Sequence, residues 1–193
     1  MKLTFSYILL AAVFSGVGVQ AAPTPTITVT PASGTVAALP GGLVGWGFTL
    51  NYSATSDWVV LTGSEFTGST VYGNYTDYLS SPTAPLYVAG PAPEASSITQ
   101  AWSSASQLGL GAFQFNSAAL PGAVIAGNIV IHYSVFSADP NNPAFDPGVD
   151  TVVADATVTD AVKAVVTPEP GPFALLCAGA LGLGRSVRRK PRA

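Results

Sequence analysis

The chain reads as an all-β protein, an antiparallel β-sandwich of immunoglobulin-like type flanked by an N-terminal signal peptide and a short C-terminal transmembrane helix. Three observations predict this. Seven or eight short segments alternate apolar and polar residues with a period of two, no segment shows helical periodicity, and Gly or Pro punctuates the intervals between them. The 193 residues divide into a leader at 1–21, a body at 22–167 that is the size of one domain, and a C-terminal region at 168–193.

The elements follow in order. Ile27-Thr28-Val29 is a short first strand, and the remaining Pro-, Thr- and Ser-rich residues between 23 and 40 read as linker or loop. From Val44 to Tyr52 every even position is apolar (Val44, Trp46, Phe48, Leu50, Tyr52), which is the pattern of a half-buried strand. Trp58–Leu61 is an apolar run suited to a buried strand, and residues 70–79 alternate weakly. These strands are expected as neighbours joined by hairpins. Four prolines between 80 and 97 predict a crossing loop with an edge piece at Leu86–Val88, since proline donates nothing to a ladder.

Ile98, Gln100 and Trp102 begin another strand. Leu108 and Leu110 then share one parity while Phe113 and Phe115 share the other, which predicts a β-bulge at Gly111. Ile129, Ile131, Tyr133 and Val135 alternate cleanly. The last strand has apolar even positions from Val152 to Val166, with Asp160 breaking the row and predicting a bend.

Composition excludes several classes of function. Charged residues are only 9% of the chain and hydrophobic ones 48%, so solubility of the body rests on Ser, Thr, Asn and Gln. There is no Lys or Arg between positions 3 and 162, and over 22–167 nine acids against Lys163 give a formal charge of −8. Affinity for phosphate backbones comes from neutralising basic side chains, so nucleic acid, nucleotides and anionic headgroups are poor partners for this body. Cys177, the one cysteine, lies in the C-terminal apolar stretch, which leaves the body without a disulfide.

The two ends carry the clearest patterns. Lys2, the apolar run Leu9–Phe14 and the small residues of Val19-Gln20-Ala21-Ala22 form a secretory signal peptide cleaved after Ala21 or Ala22. At the other end stand Thr167-Pro168-Glu169-Pro170, then 13 residues from Pro172 to Gly184, then Arg185, Arg188, Arg189, Lys190 and Arg192. As a helix the apolar stretch rises about 20 Å against a hydrocarbon core of roughly 30 Å, so it spans only by drawing in Ser186 and Val187 with Arg185 snorkelling. The basic cluster after it places the terminus in the cytoplasm and the body outside the inner membrane.

This order of Pro-Glu-Pro, apolar helix and Arg cluster resembles a PEP-CTERM sorting signal, over residues 168–193 only. The resemblance implies export, transient residence in the inner membrane, cutting by an exosortase near Pro168-Glu169-Pro170 and release to the cell envelope or an extracellular polysaccharide matrix. Signal peptidase and exosortase are then the processing partners. Gly45-Trp46-Gly47-Phe48 and the loop Asp139-Pro140-Asn141-Asn142-Pro143 also make the body similar to uncharacterised bodies of other PEP-CTERM proteins, a similarity that implies no activity.

Candidate chemistry within the body is sparse. His132 is the single histidine, mid-strand, with no body cysteine and no Gly-x-Ser-x-Gly elbow, so an ordinary strand histidine is expected and zinc or triad catalysis is not. Asp57, Glu65 and Asp77 are close enough in sequence to be tested as a glycosidase carboxylate pair. Asp139, Asn141, Asp146 and Asp150, together with Asn142, form a weak Ca²⁺ candidate that lacks the EF-hand pattern, and the Asn, Asp and Pro content reads first as a rigid structural turn. Trp46, Trp58 and Trp102 with the tyrosines would suit a sugar platform if exposed, but their alternation favours packing. Asn51-Tyr52-Ser53 and Asn74-Tyr75-Thr76 match the N-glycosylation triplet, which carries little weight in a bacterium. The expectation is a non-enzymatic, cofactor-free structural or adhesive protein, with a carbohydrate-binding module next and a glycoside hydrolase a distant third.

Overall fold

The computed structural model describes residues 24–168, apart from Ala54 and Ala92. The leader with Ala21 and Ala22, and the C-terminal residues Glu169, Pro170, Cys177, Arg185, Arg188 and Arg189, lie outside the described residues. Among the described residues no helix is long and apolar enough to cross a membrane.

The chain forms β1 (Thr26–Thr30), β2 (Thr35–Ala38), β3 (Leu43–Asn51), β4 (Trp58–Gly68), β5 (Gly73–Asp77), β6 (Val88–Ala89), β7 (Ser97–Gln100), β8 (Gly111–Phe115), β9 (Val124–Phe136), the single turn α1 (Pro147–Asp150) and β10 (Thr151–Val166). They build two five-stranded sheets. One runs β1-β3-β8-β5 with β7 also on β3, and the other runs β2-β10-β9-β4-β6. The all-β, two-sheet architecture expected from the alternation is therefore present.

The core lies between the sheets. Even positions of β3 face it, with Trp46, Phe48 and Leu50 fully buried, and odd positions of β9 meet them with Ile129, Ile131 and Val135. Trp46 satisfies its indole by donating to the Gly34 carbonyl at 2.8 Å, which ties β3 to the turn between β1 and β2. Phe66, Phe113 and Phe115 extend the aromatic packing edge to face.

Five expectations are corrected by the pairing. The stretch 23–40 contains a second strand, β2, parallel to residues 163–166 of β10; its four residues signal little alone because the partner lies far along the chain. The strands after β3 are not hairpin neighbours: β4 pairs with β9 and β6, and β5 with β8, so the chain crosses between sheets at each step. β4 is longer than its apolar run because a register shift between Leu61 and Gly63 reverses its inward parity.

The parity change before Gly111 is not a bulge. β7 and β8 both lie antiparallel along one side of β3, covering Phe48–Asn51 and Leu43–Trp46, so residues 101–110 are an excursion from one interrupted strand. Trp102 in that excursion covers Gly45, where a methyl group would overlap the indole and the Gly111 carbonyl. Lastly, Asp160 sits within β10 opposite Ile129, not at a bend; the irregularity falls between Val153 and Ala156, where Asp155 has φ +50°. The Asp160 carboxylate accepts the Val29 N–H at 3.0 Å, supplying an acceptor from the opposite sheet to the edge of β1.

Candidate functional site

The register shift in β4 turns Ser64 inward, where it is the one buried polar side chain among the described core residues. Its Oγ lies 2.8 Å from the Tyr75 hydroxyl, 2.6 Å from Asp77 Oδ1 and 2.7 Å from the Leu110 carbonyl. Asp77 Oδ1 also accepts the Leu79 N–H at 2.8 Å. Burial raises the Tyr75 pKa above the ordinary tyrosine range; the Ser64 hydrogen bond opposes this and the Asp77 charge adds to it. Tyr75 therefore stays protonated, and the cluster is a hydrogen-bonded bridge between the sheets. Nothing in the alternation marks Ser64 as inward, because its parity depends on the shift at Thr62.

His132 pairs across the ladder with Gly63, next to Ser64, and its Nδ1 lies 2.7 Å from Asp155 Oδ1. The three residues of a Ser-His-Asp set are thus on adjacent strands, but not on one face. Ser64 points into the core, whereas His132 alternates with buried Ile131 and Tyr133 and faces outward beside a largely exposed Asp155. A base on the far side of the sheet cannot take the serine proton, so no triad is assembled. His132 is a strand histidine, as its context predicts, with a carboxylate partner that only the irregularity in β10 brings alongside.

The glycosidase candidates do not meet across a cleft. Asp57 precedes β4 and Glu65 lies eight residues further along the same extended segment, a separation on the order of 25 Å. Asp77 is engaged with Ser64 on the inner side, and Glu65 is exposed on the outer side.

The loop 139–150 uses its oxygens on its own backbone. Asp139 Oδ1 accepts from Asn141 N, Asn142 Oδ1 from Ala144 N, Asp146 Oδ1 from Gly148 N and Asp150 Oδ2 from Asp146 N, at 2.8–2.9 Å. Among the described residues no group of three or more His, Cys, Asp or Glu converges to hold a metal. Of the Ca²⁺ candidates Asp139, Asn141, Asp146 and Asp150, Asp139 and Asp146 form Asx turns, as Asn142 does between them, Asn141 donates to Glu94, and Asp150 accepts back from the Asp146 N–H at the cap of α1.

Among the described residues the tryptophans and tyrosines form no exposed platform. Trp46 is in the core, Trp58 and Trp102 are half-buried, and none of the described tyrosines is exposed. Tyr52 is 2% exposed with no hydrogen-bond partner for its hydroxyl among the described residues. Burial, followed by the Asp57 and Tyr133 charges, pushes its pKa up to about 12. Beside it an open groove of about 360 Å³ is lined by Thr24, Thr26, Asn51, Ser53, Ser96 and Ser97. Thr26, Asn51 and Ser97 are paired positions at the ends of β1, β3 and β7, and Thr24, Ser53 and Ser96 are in the adjoining loops; Ser97 Oγ donates to Asn51 Oδ1 at 2.7 Å and the Thr49 and Thr99 hydroxyls lie 3.2 Å apart.

The junction with the C-terminal region is sharply placed. Val166 exchanges backbone hydrogen bonds with the 122–123 turn, accepting from Gly122 N at 2.8 Å and donating to Ala123 O at 2.9 Å. Thr167 N donates to Ala38 O at 2.8 Å, and Pro168, which has no N–H, is exposed directly after it. The ladder thus ends one residue before the Pro-Glu-Pro motif begins.

No family model and no curated protein matches this chain. Solved structures that align with it include a chain of the CaDoc0917–CaCohA2 complex at pH 5.5, 16% identical over 75% of this chain and 100% of that one, with a TM-score of 0.29. Another is a chain of the complex between the sixth cohesin from Acetivibrio cellulolyticus scaffoldin B and a mutant Cel5 dockerin, 14% identical over 75% of this chain and 99% of that one, with a TM-score of 0.26. Neither likeness is close enough to carry an argument about partner or role.

Proposed function

We propose that this protein is an exported, non-enzymatic β-sandwich of the cell envelope or extracellular polysaccharide matrix, with a structural or adhesive role, delivered through a PEP-CTERM sorting signal. The observation that carries this reading is the junction at residues 166–168. The last backbone hydrogen bond described for the sandwich is made by Thr167, and Pro168, the exposed residue after it, opens the sequence motif Pro168-Glu169-Pro170 that precedes the apolar stretch and the Arg cluster. A processing enzyme needs an extended segment outside the ladder, and a cut there would sever no backbone hydrogen bond described for the sandwich.

The body is of immunoglobulin-like type on this reading. Its strand order supports that: β1-β3-β7/β8-β5 corresponds to A-B-E-D, and β10-β9-β4 to G-F-C. A carbohydrate-binding role is favoured by one observation, the groove of hydroxyl and amide side chains beside Asn51. It would bind by hydrogen bonds alone, which are weak in water without aromatic stacking.

The intact mass of the protein recovered from cells and from medium tests the sorting account. Loss of residues through Ala21 or Ala22 and of those beyond the Pro168–Pro170 motif is the expected result. A recovered chain that still ends at Ala193 would overturn it.

A further inference from the structure

One end of the sandwich has apolar, uncharged loops, with its nearest charged residues, Glu65 and Lys163, set back in the ladders opposite Val130 and Ala126. β2 ends there at Ala38, β10 at Val166 and β8 at Phe115, while β3, β5 and β9 begin there at Leu43, Gly73 and Val124. The connecting loops are tied to one another: Gly41 N donates to Asn116 O at 3.1 Å, Asn116 N to Tyr72 O at 2.8 Å and Thr167 N to Ala38 O at 2.8 Å. Of eight exposed large apolar side chains among the described residues, five are here: Val71 at 73%, Leu120 at 64%, Val124 at 55%, Leu39 at 45% and Leu43 at 38%.

Segments 38–43, 66–76, 112–128 and 164–168 contain no Asp, Glu, Lys, Arg or His. Five of the nine acids of the body lie at the opposite end, and Glu65, Asp77, Asp155 and Asp160 lie along the strands between. Asp57 precedes β4 at the opposite end, and Asp139, Asp146 and Asp150 lie in the loop between β9 and β10, where Asn141 donates to Glu94 at 3.2 Å. Single exposed apolar residues are ordinary on a protein surface, but their concentration at one charge-free end is not.

The chain leaves the body at this same end. Pro168 is four residues before Pro172, where the apolar stretch begins, so even a fully extended connection is only about 14 Å long. If that stretch enters a bilayer, these loops are held at the bilayer surface. Apolar side chains gain there by leaving water, and a body with a formal charge of −8 is tolerated because none of its acids lies in the loops of this end. We infer that the loops carrying Leu39, Val71 and Leu120 dock this end of the sandwich on the lipid surface while the C-terminal region is attached. This rests on the sorting reading and adds an orientation to it: the body stands on the membrane by its apolar end, and cleavage near Pro168-Glu169-Pro170 releases that contact.

The test uses the full chain in a Cys177→Ala background with one added cysteine, at Leu120→Cys, at Val71→Cys or, as the opposite-end control, at Val149→Cys. Each is labelled with an environment-sensitive fluorophore and mixed with phosphatidylethanolamine–phosphatidylglycerol vesicles carrying a headgroup-level quencher. Co-flotation with the vesicles, with quenching at 120 and 71 exceeding that at 149, is expected. If the chain floats but the three positions are quenched alike, docking is overturned and the sorting reading stands. If it does not float, both fall. If the probe at 120 is shielded from an aqueous quencher yet indifferent to the lipid-borne one, protein covers this end, and a lipid contact is again overturned.

Discussion

The two ends of the sandwich are held in different ways. At the end where the chain exits, loops distant in sequence bond to one another, 41 to 116, 116 to 72, 123 to 166 and 38 to 167, over the buried rings of Phe113 and Phe115. At the opposite end the loop 137–150 closes largely on itself through Asx turns and the short α1, with Phe145 resting edge-on against Phe136 at 5.0 Å. The first end is part of the cooperative core; the second is a local structure attached to it. Substitutions should therefore spread to the whole fold from one end and stay local at the other.

The largest contrast is expected between two phenylalanines. Phe115→Ala empties a site that is 1% exposed and should cost about 3–5 kcal/mol in urea unfolding, whereas Phe145→Ala, half-buried in the acidic loop, should cost no more than about 1 kcal/mol. Equal costs would erase the distinction between the ends.

Asp160 sharpens the comparison from the middle of β10. Asp160→Ala leaves the Val29 N–H without its acceptor from the other sheet and should cost about 1–3 kcal/mol, while Asp160→Asn, which keeps an oxygen acceptor, should recover much of that. Loss in both variants alike would mean that the charge, not the hydrogen bond, joins β1 to β10.

The smallest effect is a pH dependence. Tyr52 has a folded pKa near 12 against an ordinary value of about 10. The protonated form is the one favoured by the fold, so its contribution is complete below about pH 10 and is lost as pH rises toward 12. Tyr75, also raised, titrates with the same sign. Tyr52→Phe should leave the melting temperature near neutral pH unchanged or slightly higher, since it removes a buried hydroxyl with no partner among the described residues, and should flatten the alkaline decline. An unchanged alkaline profile would assign that decline to other groups.

Much of this was legible in the sequence wherever a single local period controls burial. The even positions of β3 and the odd positions of β9 pack as their alternation predicts, because each strand holds one face to the core throughout. Legibility failed where parity changes. Ser64 reads as one more polar residue beside Glu65 until the shift between Leu61 and Gly63 turns it inward onto Tyr75 and Asp77. Asp155 reads as a surface acid until the irregularity in β10 sets it beside His132. The excursion 101–110 reads as a bulge because β7 and β8 continue along the same partner on either side of it.

Composition and period-two alternation are local properties, and they suffice to read an all-β body, nearly devoid of basic residues and bounded by two segments of distinct composition. Which of these residues meet depends on long-range strand pairing. Charge-free segments scattered from 38 to 168 converge on one end, and Asp57, Glu94, Asp139, Asp146 and Asp150 meet at the other, because strand pairing joins residues far apart in the chain. A register shift of one residue exchanges the inner and outer faces of everything beyond it, and the local alternation does not record where long-range pairing imposes that shift.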